Sequence, residues 1–466
     1  MIRLQIDTSN FIKEFCDCSD TDKKTQRHKR LSLKKLRMAL NVCMIISNFY
    51  PVLGGAEIQA FHLSQKLIKK GLSVDVVTRH QRGLKFSETI EGVNIHRMPC
   101  FGGLISKSLT YTLFGLLWIV YHRKKVDVLH CHQALSPTTI GVLAKQLIKK
   151  GVLVKLTATD LYGDVYQISI LPFKDLRKRL LGKVDYFIIM NEIMQRQLEL
   201  MGIRDLKTKT IFNGVDISVF HPVNTERKNL LRKKLMLPED SKLVIFTGRL
   251  ETQKDLSTLI KAWDIFKIDN NETHMSFRLT KKDENVIPAK AGIQSTKDWI
   301  PCQARNDRKT FSSERDNSLL LIVGEGSQKK EIESLIEKSR FKHSIKILGY
   351  RSNIRDYLQA SDCFVLPSVD EGISNSLLEA MACGLPPIVT KVGSNPEVVE
   401  HLNSGILVES RDSESLGKAI SFILSNEQMR RYMGRSARER VENKYSLDRT
   451  VEDYLELYNE LISHGC

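Results

Sequence analysis

From Asn41 onward, short β-branched runs alternate with longer segments of helical periodicity, and this alternation constrains the chain more than any other feature. It is the pattern of βαβ units stacked on a parallel sheet. NVCMIISNF predicts a first strand, AEIQAFHLSQKLIKKG an amphipathic helix closed by Gly71, and SVDVVT the next strand. VDVLHCH, GVLVKLT and KVDYFIIM extend the series. After His221 and Pro222 a second series begins with strand LVIFTG, helix LSTLIKAWDIFK, strand LLLIVG and helix QKKEIESLIEK. Strand IKILG, helix IRDYLQA, strand CFVLPS, a helix after EGISNS and strand PPIVT complete it. A chain of 466 residues exceeds what one ordinary core serves, so two α/β domains are expected, with a cleft between them. Open parallel sheets bind ligands beyond the carboxyl ends of their strands, which makes the motifs at those ends the ones to examine.

One segment breaks the rhythm. Between Lys267 and Leu319 the chain loses both helical and strand periodicity over a length unusual for a connection. Its VIPAKAGIQ and WIPCQARND phrases resemble translated palindromic repeat elements inserted in some bacterial genes. It is expected to be a surface insert without a catalytic role. The other irregular stretch is the start, where Lys23, Lys24, Arg27, Lys29, Arg30, Lys34, Lys35 and Arg37 form a basic extension before Met38, itself a candidate start. No charged n-region with an apolar h-region and cleavage site is present there, so a secretory signal is not expected.

The net charge of +17 attracts phosphates, nucleic acids or anionic lipid headgroups. No nucleic-acid-binding module or aromatic-interleaved basic strand set accompanies it, so no nucleic-acid partner is expected. Nine cysteines scattered from Cys16 to Cys466 have neither zinc-site nor secreted-scaffold spacing, and are read as reduced thiols of a cytoplasmic protein. No apolar run reaches the ~18 residues a bilayer-spanning helix needs. LTYTLFGLLWIVY (Leu109 to Tyr121), followed by His122, Arg123, Lys124 and Lys125, is read as a buried helix, the alternative being an interfacial segment meeting anionic lipid.

Three motifs carry chemistry. In DEGISNSLLEAMACGLP (Asp370 to Pro386), Glu371 and Glu379 are eight positions apart, flanking a Gly-Ile-Ser-Asn turn between strand and helix. With a helix starting near Ser374, the two carboxylates fall on similar sides of its first half, and the free amides between them form an anion site. Gly372 lets the backbone approach a ligand closely. The bland alternative is a capped helix with solvated glutamates. In GRLETQKD, Arg249 and Lys254 follow a strand, a planar fork and a compact charge suited to phosphate oxygens. In PVLGGAE (Pro51 to Glu57), Gly54 and Gly55 form a tight turn between the first strand and first helix. This is not the G-x-G-x-x-G fingerprint of dinucleotide oxidoreductases.

Together these residues resemble retaining glycosyltransferase family 4, the glycosyl transferases of group 1. The E-x7-E motif, the trailing EAMACGLP, VTKVGSNPEVV and the GRL-x3-K segment all match. IFNGVD, with Phe212 where the family carries proline, GEGSQ, GYRSNIRDYL and DVLHCH extend the likeness to nearly all of Met38 to the C-terminus outside the insert. The resemblance implies the GT-B fold, two Rossmann-like parallel-sheet domains facing a central cleft. It divides the chain into a basic extension (1–37), an acceptor-side domain (38–218), a donor domain (219–445, with the insert at 268–318) and a helix returning to the first domain (446–466).

The activity implied is a hexosyltransferase-type enzyme moving a sugar, with retention, from a nucleotide-diphosphate sugar to a lipid-linked, polysaccharide or small-molecule acceptor. The setting would be cell-envelope polysaccharide biosynthesis. In this reading Glu371 bonds donor sugar hydroxyls, Glu379 accepts from the ribose hydroxyls, and both are ionised. Gly372, Ile373, Ser374 and Asn375 hold the diphosphate, Arg249 and Lys254 contact it, and Gly54 and Gly55 face it across the cleft. UDP- or GDP-linked donors are the family norm. No cofactor or metal is expected, since the only Asp-x-Asp spacing, Asp20 and Asp22, lies in the basic extension. On the acceptor side His130 and His132 either line the cleft or pack. The family's histidine after GVLVK is replaced, with Thr157 at or near its place and Asp160 the nearest stand-in. The rival readings are a GT-B-like nucleotide-sugar epimerase or phosphorylase-type enzyme, and an inactive transferase homologue. Peripheral association with the inner face of an anionic membrane fits the basic surface.

Overall fold

The computed structural model describes residues 40–52, 54–157, 163–170, 174–203, 207–272 and 317–463. The basic extension, Met38, Asp160 and residues 273–316 of the insert lie outside the described residues.

Eight strands make the first sheet: β1 (Asn41–Ile45), β2 (Ser73–Arg79), β3 (Ser87–Ile90), β4 (Val93–Met98), β5 (Val128–His132), β6 (Gly151–Lys155), β7 (Tyr186–Ile189) and β8 (Thr208–Thr210). Their order is β3-β4-β2-β1-β5-β6-β7-β8. Helices α1 (Gly55–Lys69), α2 (Leu104–Tyr121), α3 (Ser136–Ile148), α4 (Asp164–Ile170), α5 (Lys174–Leu181) and α6 (Glu192–Leu200) accompany it. Central strands such as β5 are buried along their whole length, which explains their near-continuous apolar runs. The sequence reading gave no strands between Thr78 and Met98. There β3 and β4 form the one antiparallel pair of the sheet, closed by Glu91 and Gly92, both at positive φ (49° and 84°). Polar residues in SETI and VNIHRM suit an edge hairpin and hide it from a search for buried runs.

The second sheet holds β9 (Leu243–Thr247), β10 (Leu319–Val323), β11 (Ile345–Gly349), β12 (Cys363–Leu366), β13 (Pro387–Thr390) and β14 (Ile406–Val408), all parallel, in the order β11-β10-β9-β12-β13-β14. Around it lie α7 (Thr225–Lys234), α8 (Leu256–Glu272), α9 (Lys329–Lys338), α10 (Ile354–Ala360), α11 (Asn375–Ala382), α12 (Asn395–Val398), α13 (Ser413–Ser425) and α14 (Glu427–Lys444). The last helix, α15 (Leu447–Ser463), buries Tyr454, Leu457, Tyr458 and Leu461 against Val42, Met44, Val128 and Leu153 of the first sheet.

Two expectations change. Helix α8 continues to Glu272, five residues into the predicted insert, because a polar stretch without apolar spacing can still prolong a helix that is already nucleated. Helix α2 is not a buried helix all round. Tyr111, Gly115 and Ile119 face the core, while Ile105, Leu109, Leu113, Leu117 and Tyr121 form an exposed row along it. Among the described residues no helix is long and apolar enough to cross a membrane.

In both sheets the strand order reverses beside the first strand, between β1 and β5 and between β9 and β12. The crevices at those two switch points open toward each other and set the position of the cleft.

Candidate active site in the interdomain cleft

The cleft has a volume of about 970 Å³ and is walled by the segments that follow β1, β5, β6, β7, β9, β10, β11 and β12. It gathers Gly54, Gly55, His132, Thr157, Arg249, Lys254, Glu371, Gly372, Ile373, Ser374, Asn375 and Glu379. These are all the candidate site residues named from the sequence except His130, which is buried behind the cleft wall, and Asp160, which lies outside the described residues.

Its central feature is the turn into α11. Ser374 takes extended N-cap geometry (φ −71°, ψ 122°) but its side chain caps nothing. The first helical hydrogen bond runs from the Leu378 amide to the Ser374 carbonyl at 3.1 Å. The amides of Asn375, Ser376 and Leu377 therefore have no acceptor within the helix at its positive end, and Asn375 and Ser376 line the cleft. A Cβ at Gly372 would lie 3.1 Å from the Thr157 carbonyl, so glycine permits the two domains to meet backbone to backbone here.

Glu371 precedes this helix and is buried. Lys254 forms an ion pair with its carboxylate, and the Ser368 hydroxyl donates to the same oxygen at 2.8 Å. The Gln253 side chain donates to the Asp370 carbonyl (2.8 Å) and the Val369 amide to the Gln253 carbonyl (2.9 Å), stitching the GRLETQK segment to the glutamate turn. Lys254 and Glu371, expected to act separately, are partners in the fold. Behind Glu371, Gly393 has φ 50°, and a Cβ there would lie 1.7 Å from the Glu371 carbonyl oxygen.

Glu379 lies in the second turn of α11 at the inner end of the cleft. Burial pushes its carboxyl up to about 8. This corrects the expectation that both glutamates are ionised: with no cation bonded to it among the described residues, burial keeps Glu379 mostly protonated at neutral pH.

Arg249 is exposed in the cleft and pairs with no carboxylate among the described residues. Opposite it stands Glu57, whose carboxyl is raised by burial against the opposing pull of the Arg249 charge. A Cβ at Gly54, the N-cap of α1, would fall 2.3 Å from a Glu57 carboxylate oxygen. Gly55 offers its carbonyl to the Asn375 side-chain amide at 3.0 Å. Gln59 donates to the Asn375 side-chain oxygen (2.9 Å) and the Gly214 carbonyl (3.0 Å), so the starts of α1 and α11 are joined directly.

On the first domain's floor, His132 is buried and stacked on His130, with ring centroids 4.3 Å apart. Burial, reinforced by the Lys155 charge, pushes its imidazole down to about 3. His132 thus both packs and lines the cleft. Thr157 turns away from the family histidine's role: its amide (2.7 Å) and hydroxyl (3.0 Å) both donate to Asp164, which also accepts from the Ala134 amide at 3.1 Å. Burial raises the Asp164 carboxyl, and those hydrogen bonds hold it down.

Sequence reasoning missed Lys155, Asn213, Gln59 and Arg351, all on the cleft wall. Asn213 was within reach, because it opens the NGVD turn. Its side chain bridges the domains, accepting from Lys155 (2.7 Å) and donating to the Ile373 carbonyl (3.1 Å). Lys155 had no such signal, being one polar residue at the end of an apolar strand. Among the described residues no group of three His, Cys, Asp or Glu side chains is arranged to hold a metal ion.

Comparison with known proteins agrees with this geometry. Residues 53–219 match the family model described as Glycosyltransferase Family 4, and residues 304–440 the one described as Glycosyl transferases group 1. The N-acetyl-alpha-D-glucosaminyl L-malate synthase of Bacillus anthracis is 25% identical over 418 residues, covering 89% of this chain and 96% of that protein. Among solved structures, the sucrose-phosphate synthase of Thermosynechococcus elongatus superposes with a TM-score of 0.69 at 20% identity, over 91% of this chain and all of that one. Anabaena HepE in complex with UDP superposes with a TM-score of 0.65 at 16% identity, over 90% of this chain and all of that one. With its first and second halves each matched to a model of the same family, and a GT-B fold shared over nine-tenths of its length, this chain belongs to the group 1, family 4 glycosyltransferases.

Proposed function

We propose that this protein is a retaining, metal-independent hexosyltransferase that takes a sugar from a nucleotide-diphosphate donor, UDP- or GDP-linked, and passes it to a lipid-linked, polysaccharide or small-molecule acceptor. The observation that carries the reading is the convergence on one cleft wall of the uncapped start of α11, the Lys254–Glu371 pair and Arg249, which pairs with no carboxylate among the described residues. A diphosphate laid against those amides meets donors already oriented, and its leaving oxygen gains charge as the glycosidic bond breaks. Arg249 and Lys254 supply the positive charge that a divalent ion supplies in other designs. Glu371 is held where it can accept from sugar hydroxyls, and Glu379 is placed for the ribose. Retention follows if the departing phosphate oxygen deprotonates the incoming hydroxyl on the same face. HepE, a neighbour in fold, was solved in complex with UDP, which is in keeping with a uridine nucleotide.

The row formed by Ile105, Leu109, Leu113, Leu117 and Tyr121, each more than half exposed, ends at the exposed Arg123, Lys124 and Lys125. Apolar residues beside a basic cluster suit the interface of an anionic bilayer. We assign this face to peripheral contact with the cytoplasmic leaflet, where a lipid-linked acceptor of cell-envelope polysaccharide synthesis would be met.

Calorimetry with UDP, GDP, ADP and their sugars, with and without EDTA, on wild type, Arg249→Ala and Glu379→Ala tests the donor reading. Selective, EDTA-insensitive binding weakened by both substitutions is expected, and a folded wild type that binds no nucleotide would overturn it. The anomeric configuration of the first product, read by NMR, tests retention.

A further inference from the structure

We propose that the floor of the cleft carries a second anion subsite, in which Lys155 and His132 take a phosphate or carboxylate oxygen of a ligand, apart from the amides at the start of α11. The proposal rests on the donor–acceptor reading of the cleft. His132 and Lys155 are register partners on the neighbouring strands β5 and β6, so their side chains leave the sheet side by side on one face. They are 1% and 5% exposed, yet both line the cleft. The buried Nε2 of His132 has no hydrogen-bond partner among the described residues. Lys155 has three donors, of which Asn213 takes one at 2.7 Å, and the Tyr454 ring lies 5.9 Å from the ammonium.

Among the described residues no counter-charge faces the ammonium. Around the ammonium, among the described residues, lie His130 and His132 from β5, Tyr454 from α15 and Asn213, with Tyr458 of α15 behind His130, bonded to its ring at 2.8 Å. Burial pushes both imidazoles down and both phenols up, so none is anionic at neutral pH. Burial lowers the Lys155 ammonium itself to about 8. A buried charge without a partner is unfavourable, and holding Asn213 in place needs only a neutral donor. Among the described cleft residues of the first domain, Lys155 is the only cation and Glu57 the only acid. An anionic ligand oxygen would complete the site, bonding to the ammonium and to an Nε2–H of His132. That oxygen comes either from the donor diphosphate or from an anionic group on the acceptor.

The full-length protein is titrated calorimetrically with UDP, and with inorganic phosphate in the presence of saturating UDP, as wild type, Lys155→Met and Lys155→Arg. If the subsite takes a donor phosphate, Lys155→Met weakens UDP at least tenfold and phosphate does not bind over UDP. If it serves the acceptor, phosphate binds over UDP in wild type and is lost in Lys155→Met. Either way, ligand binding at pH 8.5, measured in buffers of different ionisation enthalpy, takes up more protons in wild type than in Lys155→Arg, the difference isolating Lys155 from the exchange at Glu379 that both proteins share. This last readout does not require Lys155→Met to fold. Unchanged UDP and phosphate binding in folded Lys155→Met, or equal proton uptake in wild type and Lys155→Arg, overturns the proposal. A wild type that binds phosphate in this way but no nucleotide would instead remove the donor reading and leave the subsite standing.

Discussion

Lys254 and Glu371 are 117 positions apart in sequence and form a nearly buried ion pair at the entrance to the α11 turn. Removing one partner leaves the other charge buried without compensation, so Lys254→Ala or Glu371→Ala should each destabilise the protein by about 3 kcal/mol. The double variant should lose less than the sum, since neither charge is stranded in it. Urea unfolding of the four proteins measures this coupling. Turnover should fall about 100-fold or more in each single variant, because both groups also face the reacting donor.

Arg249 differs in that, among the described residues, it has no carboxylate partner to strand. Arg249→Ala should unfold at the wild-type midpoint while its affinity for the nucleotide diphosphate falls by roughly 10- to 100-fold, the range of a lost charge-assisted hydrogen bond. Arg249→Lys should recover only part of this, lacking the planar fork. Paired melting curves and titrations separate the site role from a folding role, and equal loss in both would contradict it.

Glu379 gives a prediction with a sign. Its folded carboxyl, at about 8, lies above the ordinary value near 4.5. The folded state therefore binds more protons than the unfolded state between those values, and stability contributed here falls as pH rises through the window. Wild type should lose thermal stability between pH 6 and pH 9 relative to Glu379→Gln, which stays neutral throughout. Parallel pH dependences for the two proteins would remove Glu379 as the cause.

How much of this was legible beforehand follows from what each residue contributes to pattern. The parallel strands could be read because burial on both faces writes continuous apolar runs, as in LVIFT and CFVL. The edge hairpin β3–β4 could not, because an exposed strand such as SETI carries no such run. Gly372, Glu371 and Glu379 stood out because a glycine-bearing turn before a helix is a local signal. Lys155 and Gln59 did not, since their meaning comes from partners such as Asn213 and Asn375, distant in sequence and set in place only when the two sheets face each other. The protonation of Glu379 was hidden for the same reason: spacing records where a carboxyl lies, and not how much protein surrounds it.

The insert can be tested by deletion. Its flanking residues, at the end of α8 and the start of β10, are tied together where the Lys267 ammonium donates to the Ser318 carbonyl at 2.9 Å. That edge holds the amino ends of the strands, opposite the carboxyl ends that wall the cleft. Replacing 273–316 by a short Gly-Ser linker should leave kcat/KM within about twofold, as expected for a connection remote from the site. A folded deletion variant with turnover abolished would show that the segment acts in catalysis.

The exposed row on α2 makes the last prediction. Ile105, Leu109, Leu113, Leu117 and Tyr121 follow one another at intervals of four, a ridge on the side of the helix away from Tyr111, Gly115 and Ile119. Residues already facing solvent contribute little to folding, so replacing Leu109, Leu113 and Leu117 by Ser should leave the melting temperature nearly unchanged. At a bilayer each leucine would bury apolar area worth up to about 1.5 kcal/mol, and the triple variant should bind vesicles at least about tenfold more weakly. Wild type should float with phosphatidylglycerol-containing vesicles, less with neutral ones, and less again in high salt, which screens Arg123, Lys124 and Lys125. A wild type that stays at the bottom of the gradient with anionic vesicles would refute the membrane assignment, and the apolar ridge would then need a protein partner to cover it.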